Sequence, residues 1–553
     1  MTRRQEPPSR HVLGLPVIGI AAGAAVAVVV VAFFVISPLL SSGDDEPTAY
    51  VEAVPGAPSK INPLYSYLND TDADISALVF SGLTSIGPDG RVLPGLAENW
   101  EADGTSVTFH LREGVTWHTG VEFTSADVIF TYGLLANPQF MGDPDQGPLW
   151  RQIDCSAPDD LTVVCRLPQP FAPFLAYASI GIVPEHILGD ADAAALIDDP
   201  FNLAPIGTGP YRLIQINSRR ALLQAFEGYH DGPPSIPEIE LRFYPDTSTA
   251  AASVIRGETQ GLMLDSRAAQ GDIDAVATDD GIRSYTANRS AYTVLYLNNR
   301  EPPLNQPEVR QAIALAIDLD EISRNVLGER TEHAATPIVP GTWAYDSSVQ
   351  PRGQDRDQAR LLLEVSGWDL EDDAEVRSRN DTELRISIMT DQDPIRGAVA
   401  EVIATQLAEV GIAATVVREQ STDLVRDFLI PRQYQAGVFT WDPGADPDPY
   451  PAWHSSQITA TGRNIAAYSS NTADGLMEDA RRTIELEERQ QLYFAFQEQF
   501  AEDAPSVILF YPVSTYFVSQ SVEGVDLGVL FTPASRFANV HDWSLHETSG
   551  IQD

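Results

Sequence analysis

An α/β fold with more than one structural unit is what this sequence predicts. At 553 residues the chain exceeds what one small core organises. Its 43% hydrophobic content is that of a globular protein. Strand-like and helix-like patterns alternate along it, which points to mixed α/β layers, and no internal repeat is visible.

Charge narrows the partner classes. There are 78 acidic residues against 35 basic ones, a formal charge of -43. Such a surface repels phosphate, so nucleic acid is not an expected partner. Lys60 is the only lysine, and the acidity is spread along the chain, as in a soluble exported domain. The two cysteines, Cys155 and Cys165, flank the turn signal Pro158-Asp159-Asp160, so a hairpin carrying a disulfide is expected. Their spacing suits neither a CxxC redox pair nor a zinc site. At the N-terminus, Arg3, Arg4 and Arg10 precede an uncharged run from Val12 to Leu40. It exceeds the roughly 20 residues a spanning helix needs. With no A-x-A cleavage site and no following cysteine, an uncleaved anchor with a cytoplasmic N-terminus is expected in preference to a signal peptide or lipoprotein. Residues 1–48 are therefore assigned to anchor and linker.

Taken in order, the elements read as follows. Asp74 is expected to cap a helix carrying Leu78 and Val79, and Pro88-Asp89-Gly90 to form a turn. Val107 to Leu111 reads as a strand, and Ser125 as the cap of the next helix. Pro205-Ile206-Gly207-Thr208-Gly209 is no phosphate cradle, because no GxxxxGK[ST] is present. Thr247 or Ser248 caps a helix with Ala251, Val254 and Ile255. Tyr292 to Leu297 is a strand rich in β-branched and aromatic residues. After Pro302-Pro303, Asn305 with Glu308 suits a capping box, Val309, Ile313, Ala316 and Ile317 form an apolar stripe, and Asp318 or Asp320 caps a short helix ending at Gly328. A helix follows within Arg352 to Trp368, then a strand from Leu384 to Met389, a helix from Val402 to Ile412 and a strand from Ala413 to Val417.

Gly437 to Trp441 is a short apolar strand running into Asp-Pro steps at Asp442, Asp446 and Asp448. Aspartates at such turns mostly bond nearby backbone amides, which accounts for at least two of the three. Trp441 beside a carboxylate also suits a cationic organic ligand, with the indole giving apolar area and the carboxylate pairing an ammonium. His118 has no second histidine nearby, and packing is its expected role.

Two blocks carry a resemblance. "LYLNNREPPLNQPEVRQAIALAID" from Leu295, and "LAENW" with "TFHLREGVTWHTGVEFTSADVIFTY" from Leu96 to Tyr132, resemble the signatures of the family 5 extracellular solute-binding proteins, the peptide- and nickel-type receptors of ABC importers. The resemblance runs from about Ile61 to Val525. It implies a two-lobed periplasmic-binding-protein-like fold (type II, large three-domain variant) behind the N-terminal transmembrane helix. Its domains are expected at 49–90, 186–290 and 511–553 (domain I), 91–185 (an inserted domain II) and 291–510 (domain III, the second ligand lobe). The implied function is capture of a small solute, foremost a peptide, and delivery to the permease of an ABC importer. The protein would be a monomer outside the cytoplasm, membrane-held, with no catalytic residues, metal or cofactor. By the same resemblance the ligand lies on Trp441 and Asp446, with Asp442 the second choice, and Asn464 and Tyr511 complete the site. The block departs from the family here, being about one residue shorter before the Asp-Pro step. Alternatives are a receptor-fold sensor or adhesion protein uncoupled from import, and an exported hydrolase. The hydrolase lacks a G-x-S-x-G, an HExxH and a spare cysteine.

Overall fold

Three sheets organise the chain, in a computed structural model that describes residues 49–546 apart from 145, 329, 330 and 332. The anchor expected over Val12 to Leu40 lies outside these residues. Among the described residues no helix is long and apolar enough to cross a membrane.

The first sheet has seven strands, in the order Ile282–Asn288, Val513–Ser519, Gly261–Asp265, Ala49–Pro55, Glu238–Tyr244, Arg220–Ala225 and Tyr211–Ile216. Its central strand, Ala49–Pro55, runs parallel to Glu238–Tyr244 and Gly261–Asp265. Alternation along that strand serves two cores. Tyr50 and Val54 join a core with Leu78 and Val79 of the helix Asp70–Val79. Ala53 joins another with Ala250, Ala251 and Val254 of the helix Thr247–Ile255. The second sheet has four antiparallel strands, Ala97–Asp103, Ser106–Leu111, Thr162–Arg166 and Asp154–Asp159, and shares the first of these cores through Val107, Phe109 and Val163. Within it Cys155 lies directly opposite Cys165, and the two form a disulfide.

The third sheet has five strands, in the order Ala413–Arg418, Arg385–Thr390, Ala436–Trp441, Tyr292–Leu297 and Ser506–Phe510. Tyr292–Leu297 is buried along its whole length. Leu295 and Leu297 face a core with Val309, Ala312 and Ile313 of the helix Pro307–Ala316. Tyr292, Val294 and Tyr296 face the opposite core, with Trp453, Phe496 and Phe500. A strand buried on both faces favours apolar residues on both, so its sequence shows no polar alternation, and its one buried threonine, Thr293, is satisfied by the Thr440 hydroxyl at 2.9 Å. The chain passes between the first and third sheets twice, after Asn288 and after Phe510.

Several helix starts differ from the sequence expectation. Thr124, not Ser125, caps Ser125–Ala136 and shares a capping box with Asp127. Asp246, not Thr247 or Ser248, caps Thr247–Ile255, accepting from the Thr249 amide at 2.7 Å. Asn305 caps nothing: the helix begins at Pro307, whose missing N–H and fixed φ suit the first position without a side-chain cap. Asp318 does cap Leu319–Ile322, accepting from the Glu321 amide at 3.0 Å. The helix expected over Val402 to Ile412 forms as Pro394–Ala408, started by Asp393.

Asp74 departs most. It sits inside the helix Asp70–Val79, which Asn69 caps. Both its oxygens accept from Arg536, each at 2.7 Å, and Arg536 donates to Glu52 at 2.9 Å. This buried cluster ties the turn Pro533–Phe537 to the first strand and first helix. Burial holds the carboxyls of Glu52 and Asp74 above the ordinary range although Arg536 pulls both down.

His118 is a packing residue. It lies edge-on to Phe226, 4.9 Å between centroids. Its Nδ1 accepts from the Gly207 amide at 3.3 Å, and its Nε2 lies 3.0 Å from the Gly209 carbonyl. That pattern requires a neutral ring with the proton on Nε2, and burial accordingly lowers its pKa to about 4. Gly207 itself rests on the first helix: a Cβ there would meet the Val79 carbonyl oxygen at 1.8 Å.

Candidate ligand-binding cleft

The parallel strands of the first sheet end at a cavity of about 380 Å³. Val54, Pro55, Leu264 and Asp265 come from the strand ends, and Arg267, Arg289 and Arg536 line the same wall. The space beyond the carboxyl ends of parallel strands is where open α/β sheets bind ligands. Two of these arginines are committed: Arg267 pairs with Asp265, and Arg536 with Glu52 and Asp74. Across the gap, Asp393 begins the helix Pro394–Ala408, and its charge helps to raise the Arg267 pKa. A smaller cavity between Asp265 and Gln270 on one side and Leu327, Ile395 and Phe510 on the other continues the cleft toward the chain crossing.

The strand Ala436–Trp441 runs directly into the Asp-Pro turn. Trp441 is half-buried against the Tyr292 core, with the Arg463 guanidinium 5.8 Å from its ring centroid. Asp442 is exposed and, among the described residues, accepts from the Gly444 amide alone, at 2.8 Å. Surrounding protein still removes enough water to raise its carboxyl, against the pull of the Gly444 N–H and the Arg289 charge. Ser290 donates to the Gly444 carbonyl at 2.8 Å and fastens this turn to the segment that leaves the first sheet.

The other two aspartates are spoken for. Asp446 takes both arms of Arg489, at 2.6 and 2.8 Å, on a buried guanidinium that also donates to Tyr493 at 2.7 Å. Burial pushes the Asp446 carboxyl up more than Arg489 pulls it down. Asp448 receives Arg481 at 2.6 Å, and that guanidinium lies 3.7 Å from the Tyr450 ring centroid. Of the three aspartates, Asp446 and Asp448 each pair with an arginine, and Asp442 has no ion pair among the described residues. An aspartate among Asp-Pro steps gives no hint of which arginine reaches it, and Arg481 and Arg489 come from sequence far downstream.

Asn464 and Tyr511 lie in the interior. Asn464 is wholly buried and donates to the Trp453, His454 and Tyr468 carbonyls at 2.8–3.0 Å while accepting from the Tyr468 amide. Tyr511 is wholly buried and donates to the Thr336 carbonyl at 2.9 Å. Both hold loops in place. Tyr67, Met141 and Tyr177 are 49, 60 and 37% exposed. Their surroundings are acidic: Asp143 bears on the Tyr67 hydroxyl, and burial with Asp448 and Asp446 pushes the Tyr177 hydroxyl up to about 12.

A model of the bacterial extracellular solute-binding proteins, family 5 Middle, matches residues 91–462. The chain belongs to this family. It is 28% identical over 498 residues to a dipeptide-binding protein of Escherichia coli, covering 85% of this chain and 90% of that one. The oligopeptide-binding protein AppA of Bacillus subtilis, solved with a nonapeptide, superposes with a TM-score of 0.68 at 26% identity, covering 90% of this chain and 99% of that one. NikZ of Campylobacter jejuni, solved with Ni(L-His), gives a TM-score of 0.70 at 25% identity, with 90% and 99% covered. The fold is therefore the mixed α/β architecture of this family's binding proteins, and the chain is an extracytoplasmic solute-binding receptor by family.

Proposed function

We propose that the receptor captures a short peptide by its free amino terminus, with the ammonium on Asp442 and the adjoining backbone or side chain against Trp441. The observation that supports this most is Asp442 itself, an accessible carboxylate beside an indole with no ion pair among the described residues. An exposed carboxylate next to a half-buried indole fits a ligand that carries apolar groups and a positive end. The relatives are named for peptide binding, which agrees with this class of solute. Binding occurs without turnover, and the two chain crossings let the lobes close over the solute before it passes to an ABC permease. The run from Val12 to Leu40 holds the monomeric receptor at the outer face of the membrane. Titration calorimetry with tri-alanine and N-acetyl-tri-alanine tests the ammonium pairing. Acetylation should abolish most of the affinity, and equal binding of the two peptides rules the pairing out.

A further inference from the structure

Arg481 belongs to the body of the third sheet. It lies near the end of the helix Asn471–Arg482, whose Ala473 and Met477 pack into the core that holds Tyr292. Phe171 belongs to the other body, packed against the core that the first and second sheets share. The two bodies meet directly here. The Ala172 amide donates to the Arg481 carbonyl at 2.7 Å, and the Arg481 guanidinium lies 5.3 Å from the centroid of the Phe171 ring. Asp448 fixes that guanidinium. Its Oδ2 accepts from Arg481 at 2.6 and 2.7 Å, and its Oδ1 accepts from the Tyr450 amide at 3.1 Å. The Tyr450 ring completes the arrangement, its centroid 3.7 Å from the guanidinium carbon.

A second bond between the bodies has a different place. The Trp343 amide donates to the Asp89 carbonyl at 2.9 Å. Beside it the Pro88 carbonyl accepts from the Val529 amide at 2.8 Å, and the next residue, Leu530, donates to the Asn288 carbonyl at 2.9 Å. That contact adjoins the crossing after Asn288, so bending there displaces it little. No residue of either crossing enters the Arg481 contact. We propose that Arg481 is a positioning residue for closure, a latch that takes the Phe171–Ala172 turn when the lobes meet, and that Asp448 serves it by holding the guanidinium in place. The inference rests on the lobe closure given above and not on the identity of the solute. A backbone hydrogen bond weakens steeply beyond its normal length, and a cation over an aromatic ring acts only at short range. The contact therefore stabilises the closed arrangement and adds nothing to either body alone.

Hydrogen exchange reads the latch at one amide. Pro168, Pro170 and Pro173 leave this turn with backbone N–H groups at Gln169, Phe171 and Ala172, so fragmentation mass spectrometry on the full chain in detergent resolves Ala172. In the ligand-free wild type this amide should be protected at least about threefold, and about tenfold more in ~10 mM tri-alanine. Phe171→Ala should remove most of the ligand-free protection and leave the amides of the strand Tyr292–Leu297 as protected as before. Phe171→Tyr should keep the wild-type value. A latch opens without global unfolding, so low urea should leave Ala172 exchange unchanged while exchange in that strand speeds up. An unprotected Ala172 amide in the wild type overturns the inference. So does protection that is the same in Phe171→Ala, or that falls with urea as steeply as the strand's, since either marks a fixed structural contact. Ligand-free protection that depends on Phe171 but does not rise with tri-alanine supports the latch and tells against the peptide reading of the solute.

Discussion

Asp442 and Asp446 are four residues apart and have opposite consequences when neutralised. Asp442→Asn removes a carboxylate that holds one backbone amide, so the unfolding midpoint in urea should stay close to wild type. Affinity for a peptide with a free amino terminus should fall by about 2–5 kcal/mol, as when one member of a buried charge pair is lost. Asp446→Asn leaves the Arg489 guanidinium buried without its counter-charge. That should cost about 3–5 kcal/mol of folding stability. An Asp446→Asn protein of wild-type stability with selectively lost peptide binding would return Asp446 to the ligand. His118 gives a prediction in pH. Its folded pKa of about 4 lies below the ordinary value of 6.5, so the unfolded chain binds the proton first. The stabilisation is fully present above about pH 6.5 and declines on acidification toward pH 4, by about 1.4 kcal/mol per unit. The raised carboxyls of Glu52, Asp74 and Asp446 act in the opposite sense above the ordinary carboxylate range. Comparing urea unfolding of wild type and His118→Asn cancels their part, and the wild type should lose stability more steeply between these pH values.

Among the elements, the Cys155–Cys165 hairpin and the Gly207 turn carry distinct expectations. The disulfide closes a loop of sequence separation 10. Restricting so short a loop stabilises by about 2–3 kcal/mol, so reduction should lower the unfolding midpoint, and both thiols should label only after a reductant is added. Labelling of the folded oxidised protein without reductant contradicts this. At Gly207 an alanine methyl has no room against Val79. Gly207→Ala should destabilise by about 1–3 kcal/mol through displaced backbone, read from denaturant unfolding. Helix starts were legible to within about a residue wherever two capping residues adjoin, as Thr124-Ser125 and Asp246-Thr247 do. The choice between them depends on which residue takes the extended backbone, and the rest of the fold decides that.

At the scale of the whole molecule, the first and third sheets are joined by two crossings, after Asn288 and after Phe510. Bending there would move the first and third sheets as bodies, with little change inside either core. Small-angle scattering should show a smaller radius of gyration when a binding peptide is added, and a Ser290→Ala variant, which unfastens the Gly444 turn, should bind that peptide more weakly. An unchanged scattering profile at saturating peptide speaks against lobe closure.

What the sequence determined by itself was the family and the order of its elements. The block from Leu96 to Tyr132 and the block from Leu295 to Asp318 are local strings whose spacing survives without knowledge of what they touch. The strand that ends at Trp441 and the cysteine hairpin were readable for the same reason, since short-range periodicity and turn chemistry act between near neighbours. The tertiary structure alone decided the roles of charges. Asp74 reads as a cap until Arg536 arrives from 462 residues away. Asp446 reads as one of three equivalent turn aspartates, and its pairing with Arg489, 43 residues away, is visible only in the fold. Whether a charge is spent or free depends on which distant chain segment packs against it, and no local pattern records that.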